Sequence, residues 1–122
     1  MRGFAEAPGA ITILAETQRE LANPESELAG FCIAHLEDRT GYVVTLDVAP
    51  EWRRRGLALR LMAEVESRLQ QAGATEMELH VFTGNAAAIR FYQSIGYTQA
   101  GTAIDFYAPH LHAFLYRKKL PA

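Results

Sequence analysis

A change in hydrophobic period near the middle of the chain constrains its fold more than any other feature. Residues 42–48 are β-branched and apolar, as in a strand, and residues 77–82 alternate between apolar and polar side chains, which predicts a second strand. Between them, apolar residues recur at spacings of three and four and define one helical face: Ala58, Leu61, Met62, Val65, Leu69 and Ala72. A strand, a helix and a strand within about 40 residues form a βαβ unit, so we expect parallel strands joined by a right-handed crossover.

The flanking segments predict the rest of a mixed sheet. Residues 11–17 and 28–36 are typical of strands, and residues 97–119 predict two more strands joined near Ala108-Pro109. A second helix is predicted at residues 85–95. We therefore expect an α+β domain in which helices pack on a mixed sheet.

Composition limits the classes of protein that remain. A chain of 122 residues fits a single domain, 1–122, because two domains would each bury too small a core. Cys32 is the single cysteine, so no disulfide can form within the chain. No apolar run reaches the roughly 20 residues of a membrane span, and residues 1–10 do not resemble a secretory signal. We expect a cytoplasmic protein without membrane or nucleic-acid partners, since the net charge is -2.

The turn before the first long helix is suited to an anion. Arg53, Arg54 and Arg55 supply positive charge, and Gly56, Leu57 and Ala58 would begin the helix, whose first N–H groups have no intrahelical partner. The alternative is that Gly56 serves only the turn and the arginines form a solvated surface. The residues by themselves leave both interpretations open.

Two sequence motifs resemble those of one enzyme family. The pattern Arg-x-x-Gly-x-Ala at residues 53–58 follows a Val-x-Pro strand end and resembles the acetyl-CoA pyrophosphate loop of the GCN5-related N-acetyltransferases (GNAT). Residues 85–97, Asn-Ala-Ala-Ala-Ile-Arg-Phe-Tyr-Gln-Ser-Ile-Gly-Tyr, are similar to the second signature of that family. The chain is thereby identified as a GNAT member, closest in motif to the N-terminal protein acetyltransferases of the ribosomal-protein alanine type.

The resemblance implies a fold and a cofactor site. It implies α/β/α layers around a mixed sheet in which one parallel pair of strands is splayed, with the pantetheine arm of acetyl-CoA lying in the opening. The residues that the family pattern assigns to the cofactor are Leu46, Asp47, Val48, Arg53, Arg54, Arg55, Gly56, Leu57, Ala58, Asn85 and Tyr92. Asn85 is also a favourable helix N-cap, which is an alternative reason for its presence.

The same resemblance assigns the chemistry. Tyr92 matches a tyrosine that protonates the leaving thiolate, although from spacing alone it could be a core aromatic residue. His80 matches the strand position of a general base, with Glu78 on the same strand face as the reserve candidate, and Tyr42 matches an aromatic substrate-binding partner of His80. The alternative for His80 is a strand histidine in a polar cleft that transfers no proton.

No metal site is expected. His110 and His112 could share a strand face, but no carboxylate or cysteine cluster accompanies them, which favours a solvated hairpin. Cys32 lies among apolar residues and is typical of a core position, consistent with direct acetyl transfer.

The N-terminus departs from the family pattern. Members usually begin with a strand and two helices that close one side of the acceptor site, whereas only about ten residues precede the first strand predicted here. We expect most of that helical segment to be missing, so that the cleft is open, a second subunit completes it, or the chain is truncated. Of these, we favour a homodimer.

The sequence thus predicts an acetyl-CoA-dependent N-acetyltransferase that acts on a primary amine, which could be a protein N-terminus or a small molecule. The alternative is a non-catalytic module that binds acetyl-CoA as a sensor or regulator.

Overall fold

The computed structural model describes residues 10–16, 28–49 and 56–121, which form six strands and two helices. The strands are β1 (Ala10–Glu16), β2 (Leu28–Glu37), β3 (Thr40–Val48), β4 (Glu76–Phe82), β5 (Thr98–Ala108) and β6 (Leu111–Lys119). The helices are α1 (Leu57–Gln71) and α2 (Ala86–Ser94).

The described strands form one mixed sheet in the order β1-β2-β3-β4-β6-β5. Neighbouring strands are antiparallel except for β3 and β4, which run parallel because α1 carries the chain from the end of β3 back to the start of β4. This arrangement confirms the βαβ unit and the mixed α+β sheet that the hydrophobic pattern predicts.

Helix α1 packs an apolar side against the sheet, as its sequence periodicity requires. Its buried residues are Leu57, Leu61, Met62, Val65 and Leu69. Ala72, which the pattern places on the same face, is exposed because it is the C-cap, where the helix has already ended. Gly73 follows with a φ of 114°, a value that glycine adopts without steric cost.

Both helices lie on the same face of the sheet. Residues of α1 and α2 belong to one core cluster with sheet residues such as Cys32 and Leu79. Tyr97, which follows α2, donates a hydrogen bond from Oη to Glu66 Oε2 of α1 at 2.8 Å and ties the two helices together. The second helical layer and the shortened N-terminal segment of the expected α/β/α arrangement concern residues outside the described ones, and they stay predictions.

A β-bulge at Val44 divides β3 into two halves. Ala34 of β2 pairs with Val43 and the preceding Ile33 pairs with Thr45, so that Val44 has no partner in the β2 register. Before the bulge, Gly41 and Val43 are buried; after it, Leu46 and Val48 are the residues that pack against the core cluster. The extra residue therefore reverses which positions of β3 face the helices.

The parallel pair separates at the same point. The register between β3 and β4 runs from Thr40↔Glu76 to Val43↔Leu79 and ends there, although β3 continues to Val48 and β4 to Phe82. The splayed parallel pair predicted from the family resemblance is thus present, and the bulge at Val44 is its local cause.

The β5–β6 hairpin carries a second irregularity. The register passes from Ala103↔Ala113 directly to Ala108↔Leu111, so residues 104–107 of β5 bulge out opposite His112. The Asp105 carboxylate accepts a hydrogen bond from the His110 N–H at 2.8 Å, and His112 Nδ1 accepts one from the Asp105 N–H at 2.8 Å. These two hydrogen bonds hold the bulge in place beside the end of β4.

Candidate active site

The N-terminus of α1 has the geometry of an anion site. Gly56 is the N-cap and has a φ of 78°, and the first turn contains no acidic residue and no side-chain cap. A Cβ at Gly56 would meet no atom within 4 Å, so the need for glycine arises from its backbone conformation and not from crowding by described residues. Arg53, Arg54 and Arg55 lie outside the described residues, and their assigned role stays a prediction.

The second half of β3 lies in front of this helix end. Leu46 and Val48 pack against the core cluster, while the side chain of Asp47 between them is exposed. On one side this segment pairs with β2, through Cys32↔Leu46 and Gly30↔Val48. On the other side it has left the β4 register, which produces the opening that an extended ligand could enter as an added strand.

His80 and Tyr42 meet on the far face of the sheet, by which we mean the face opposite α1 and α2. Met77, Leu79 and Val81 are buried on the helical side of β4, so His80 points the other way, as the alternation predicts. His80 Nδ1 and the Tyr42 hydroxyl share a hydrogen bond of 2.5 Å, and His80 is the first residue of β4 beyond the parallel register. The imidazole therefore stands at the edge of the opening.

The surroundings of this pair favour its neutral form. Burial lowers the pKa of His80, and the nearby Glu78 carboxylate acts in the opposite direction. Burial raises the pKa of Tyr42, and Tyr107 and Glu78 add to that shift. At neutral pH the imidazole can thus accept a proton while Tyr42 keeps its own.

Glu78, the reserve candidate for the base, is held in an ion pair. Arg117 of β6 donates from Nε to Glu78 Oε2 at 2.8 Å and places Nη2 at 2.6 Å from the same oxygen. The Arg117 Nε also lies 3.8 Å from Glu76 Oε1, and Thr40 donates to the other oxygen of Glu76 at 3.1 Å. Glu78 lies on the same face as His80, as expected, but its carboxylate is directed to β6.

An acidic cavity opens beside this group on the far face. It has a volume of about 260 Å³ and is lined by Glu37, Asp38, Thr40, Tyr42 and Glu78. Its carboxylates would attract a cation to this part of the far face, beside Tyr42.

The hairpin bulge supplies aromatic residues that the sequence analysis did not assign to the site. The Phe106 ring stacks on the His80 imidazole, with centroids 4.1 Å apart and an interplanar angle of 17°. Tyr107 packs edge-on against Phe106 and Phe82. Phe106 and Tyr107 remain 44% and 47% exposed and lie together with the exposed Phe82, so they form an apolar surface that a ligand could contact. The signal in the sequence was the run Asp105-Phe106-Tyr107, but the bulge that presents it depends on tertiary pairing.

Tyr92 lies on the opposite side of the sheet from His80. It is part of α2, packs against the core cluster and contacts the rings of Phe91 and Tyr97. Burial, with smaller contributions from Cys32 and Tyr107, raises the pKa of Tyr92 to about 12. Tyr107 contributes to the raised pKa of both Tyr92 and Tyr42.

Asn85 is observed as the N-cap of α2. Its Oδ1 accepts a hydrogen bond from the Ala88 N–H at 3.1 Å, so the capping interpretation is confirmed, while a contact with a cofactor stays a prediction. Leu57 is buried and Ala58 is partly buried in the first turn of α1, which leaves their backbone N–H groups as their means of contact with a ligand.

The remaining reactive side chains are committed elsewhere. Burial raises the pKa of the Cys32 thiol to about 12, and this thiol is fully buried in the core. The His112 imidazole and the His110 backbone N–H make the hairpin hydrogen bonds described above. Within the described ranges, no three metal-ligating side chains come together and no helix has the length and apolarity to cross a membrane.

Comparison with known proteins shows which family this chain resembles. The sequence model of the Acetyltransferase (GNAT) family matches residues 5–97. Among curated proteins, the [ribosomal protein bS18]-alanine N-acetyltransferase of Salmonella typhimurium is 31% identical over 85 residues, covering 68% of this chain and 56% of that protein. The N-alpha-acetyltransferase 20 of Dictyostelium discoideum is 38% identical over 82 residues, covering 66% of this chain and 47% of that protein.

A solved structure extends the similarity to the fold. Naa20 of Chaetomium thermophilum, determined in complex with a bisubstrate analogue, superposes with a TM-score of 0.78 at 26% identity over 88% of this chain and 64% of its own. The chain spans about half the length of the curated relatives it matches.

Proposed function

We propose, since the chain belongs to the acetyltransferase (GNAT) family, that it transfers the acetyl group of acetyl-CoA directly to a primary amine. One observation carries this proposal beyond family membership. The parallel strands separate at Val43 and Leu79, with the His80–Tyr42 pair at the opening on one face and Tyr92 on the other. A donor that enters from the helical side and an acceptor that enters from the far side would meet between the two strands.

The first turn of α1 would bind the pyrophosphate of acetyl-CoA. Backbone N–H groups at a helix N-terminus point at the ligand, and the helix dipole favours negative charge there. The absence of an acidic side chain from this turn supports the assignment. The pantetheine arm would lie along Leu46 and Asp47 in the opening, where it would pair with β3 as a strand does.

His80 would remove the proton that stops an ammonium group from attacking. In the tautomer in which Nδ1–H donates to the Tyr42 oxygen, Nε2 keeps the lone pair that accepts a proton. The amine nitrogen then bonds to the thioester carbonyl carbon, the carbon–sulfur bond breaks, and the leaving thiolate takes a proton. Tyr92 would supply that proton, since a phenol with a pKa of about 12 stays protonated throughout the working pH range.

The acceptor class follows from the relatives. The matched relatives are an alanine N-acetyltransferase of a ribosomal protein and an N-alpha-acetyltransferase. We therefore propose a protein N-terminus as the acceptor. The acidic cavity beside Tyr42 supports a cationic acceptor of this kind. A small-molecule amine is the second candidate within the same chemistry.

Calorimetric titration with acetyl-CoA, followed by a thiol-release assay, tests the proposal. We expect saturable binding and release of CoA thiol with peptides that begin with a free α-amine, and a slower reaction when that amine is blocked. Binding without thiol release from any peptide or amine would instead support the sensor alternative, and the absence of binding would refute both.

A matched pair of variants locates the chemistry. His35 and His80 both contact the Tyr42 ring, with centroids 5.5 and 5.6 Å away, but His35 lies on β2 and away from the opening. We expect H80N to lower kcat by about 100-fold, which is the usual loss for a general base, and H35N to stay within about twofold of the wild type. Equal losses in the two variants would count against His80 as the base.

A further inference from the structure

An ion pair between Arg117 and Glu78 lies on the far face of the sheet. Both contacts between Arg117 and Glu78 are to one carboxylate oxygen, Oε2, at 2.6 and 2.8 Å. The strand register explains the contact, because Glu78 and Arg117 are directly paired across β4 and β6. The side chain of Glu78 is only 21% exposed, so water shields this charge poorly.

This ion pair stands next to the proposed base. Glu78 and His80 are two residues apart on the same face of β4, and Glu78 also faces Tyr42 across the parallel register. A carboxylate in that position attracts a proton to the imidazole, and a protonated imidazole cannot accept the proton of an ammonium group. For His80 to act as a base, a nearby positive charge must therefore offset the negative charge of Glu78.

We propose that Arg117 is a positioning residue which holds the Glu78 carboxylate toward β6 and thereby keeps the His80 imidazole neutral and hydrogen-bonded to Tyr42. This inference rests on the proposed function, because it assigns a task to His80. The observed geometry agrees with this proposal. His80 Nδ1 is hydrogen-bonded to the Tyr42 hydroxyl of β3, while Nε and Nη2 of Arg117 hold the Glu78 carboxylate toward β6.

The other charged and titratable groups near His80 do not replace Arg117. On β2, β3, the turn between them and β4, these groups are His35, Glu37, Asp38, Arg39, Tyr42, Asp47, Glu76 and Glu78; on the hairpin they are Asp105, Tyr107, His110, His112, Arg117 and Lys119. His112 Nδ1 accepts the hydrogen bond of the Asp105 N–H, and Lys119 lies opposite Glu76 in the β4–β6 register, so Arg117 is the cation that contacts Glu78 among the described residues. Removal of Arg117 leaves the Glu78 carboxylate without its partner on the face that carries the imidazole.

The test measures the imidazole directly and the enzyme separately. Proton–nitrogen NMR of the full chain, with His80 assigned by the loss of its signals in H80N, follows its titration without any substrate. We expect the titration midpoint of His80 to move to higher pH in R117M, to lower pH in E78Q, and back to that of the wild type in R117K, which keeps the positive charge.

Activity gives the second measurement. We expect the acid limb of kcat/KM to move with the imidazole, so that the ratio of R117M to wild type falls by about threefold or more between pH 8.5 and pH 6. K118M is the matched control, since Lys118 is the next residue of β6 but pairs with Glu66 on the helical side at 2.9 Å. Its His80 midpoint should equal that of the wild type.

Three results would overturn the proposal. These are an unchanged His80 midpoint in R117M, an equal displacement in K118M, and loss of activity in E78Q at every pH, which would make Glu78 the base. The opposite displacement expected for E78Q keeps the test decisive if R117M folds poorly. A wild-type protein that releases no thiol would refute the proposed function instead, while the NMR titrations would still report on the ion pair.

Discussion

Replacement of Gly56 by alanine separates the binding role of the α1 N-terminus from its folding role. The φ of 78° at this position costs an alanine about 1–2 kcal/mol, which corresponds to a fall in Tm of about 4–8 °C for a domain of this size. Gly73 at the other end of α1 has a φ of 114°, and a Cβ there also meets no atom within 4 Å. G73A is therefore a matched control that strains the same helix without touching the proposed site.

The expected effects on binding differ between the two variants. An alanine at Gly56 places a methyl group in the open space before the first turn, where we propose that the pyrophosphate lies. Loss of one charge-assisted hydrogen bond there would weaken acetyl-CoA binding by about 10- to 100-fold, while G73A should bind as the wild type does.

Calorimetry at 25 °C measures both affinities, and thermal melts measure both stabilities. S-acetylpantetheine, which has no pyrophosphate, serves as a second donor: its kcat/KM should be nearly the same in G56A and the wild type. Equal affinities of G56A and G73A for acetyl-CoA would refute the assignment of the pyrophosphate to this helix end, as would an equal loss with the truncated donor.

Three further predictions concern Tyr92, the helix cap at Asn85 and the oligomeric state. Y92F should lower kcat by about 100-fold and leave the Kd for acetyl-CoA within about twofold, as measured by steady-state kinetics and calorimetry; an unchanged kcat would make Tyr92 a core aromatic residue only. N85A removes the acceptor for the Ala88 N–H and should cost about 1 kcal/mol in a urea melt, whereas N85G should cost only a few tenths, and equal losses would argue against the cap. Sedimentation over a concentration series should show a dimer, and a monomer at every concentration would remove the homodimer prediction.

Residue spacing was sufficient to predict the elements of this fold. The period of three and four between residues 58 and 69 placed α1, and the alternation over residues 77–82 placed His80 and Glu78 on the face away from the core. The two motifs identified the family, which the sequence comparison confirms. These signals are local, and they depend on residues only a few positions apart.

The features that shape the site depend on pairing between distant segments. Val43 and Val44 are adjacent apolar residues, and nothing in a continuous apolar run marks one of them as the bulge that opens the sheet. The ion pair between Glu78 and Arg117 joins residues 39 positions apart and follows from the β4–β6 register. The stacking of Phe106 on His80 likewise requires the irregular pairing of β5 with β6, which no local pattern encodes.

Because of the bulge at Val44, amino-acid substitutions in the two halves of β3 should have different effects. Its first half is built into the sheet on both sides, so substitutions there act on the folding equilibrium. Its second half has left the β4 register, so a substitution at the exposed Asp47 can alter the opening without removing a contact to the core, unlike one at Leu46 or Val48. Deletion of Val44 would restore a single alternation along the strand and favour closure of the gap. One inserted residue thus divides β3 into a half that pairs with two strands and a half that borders the opening.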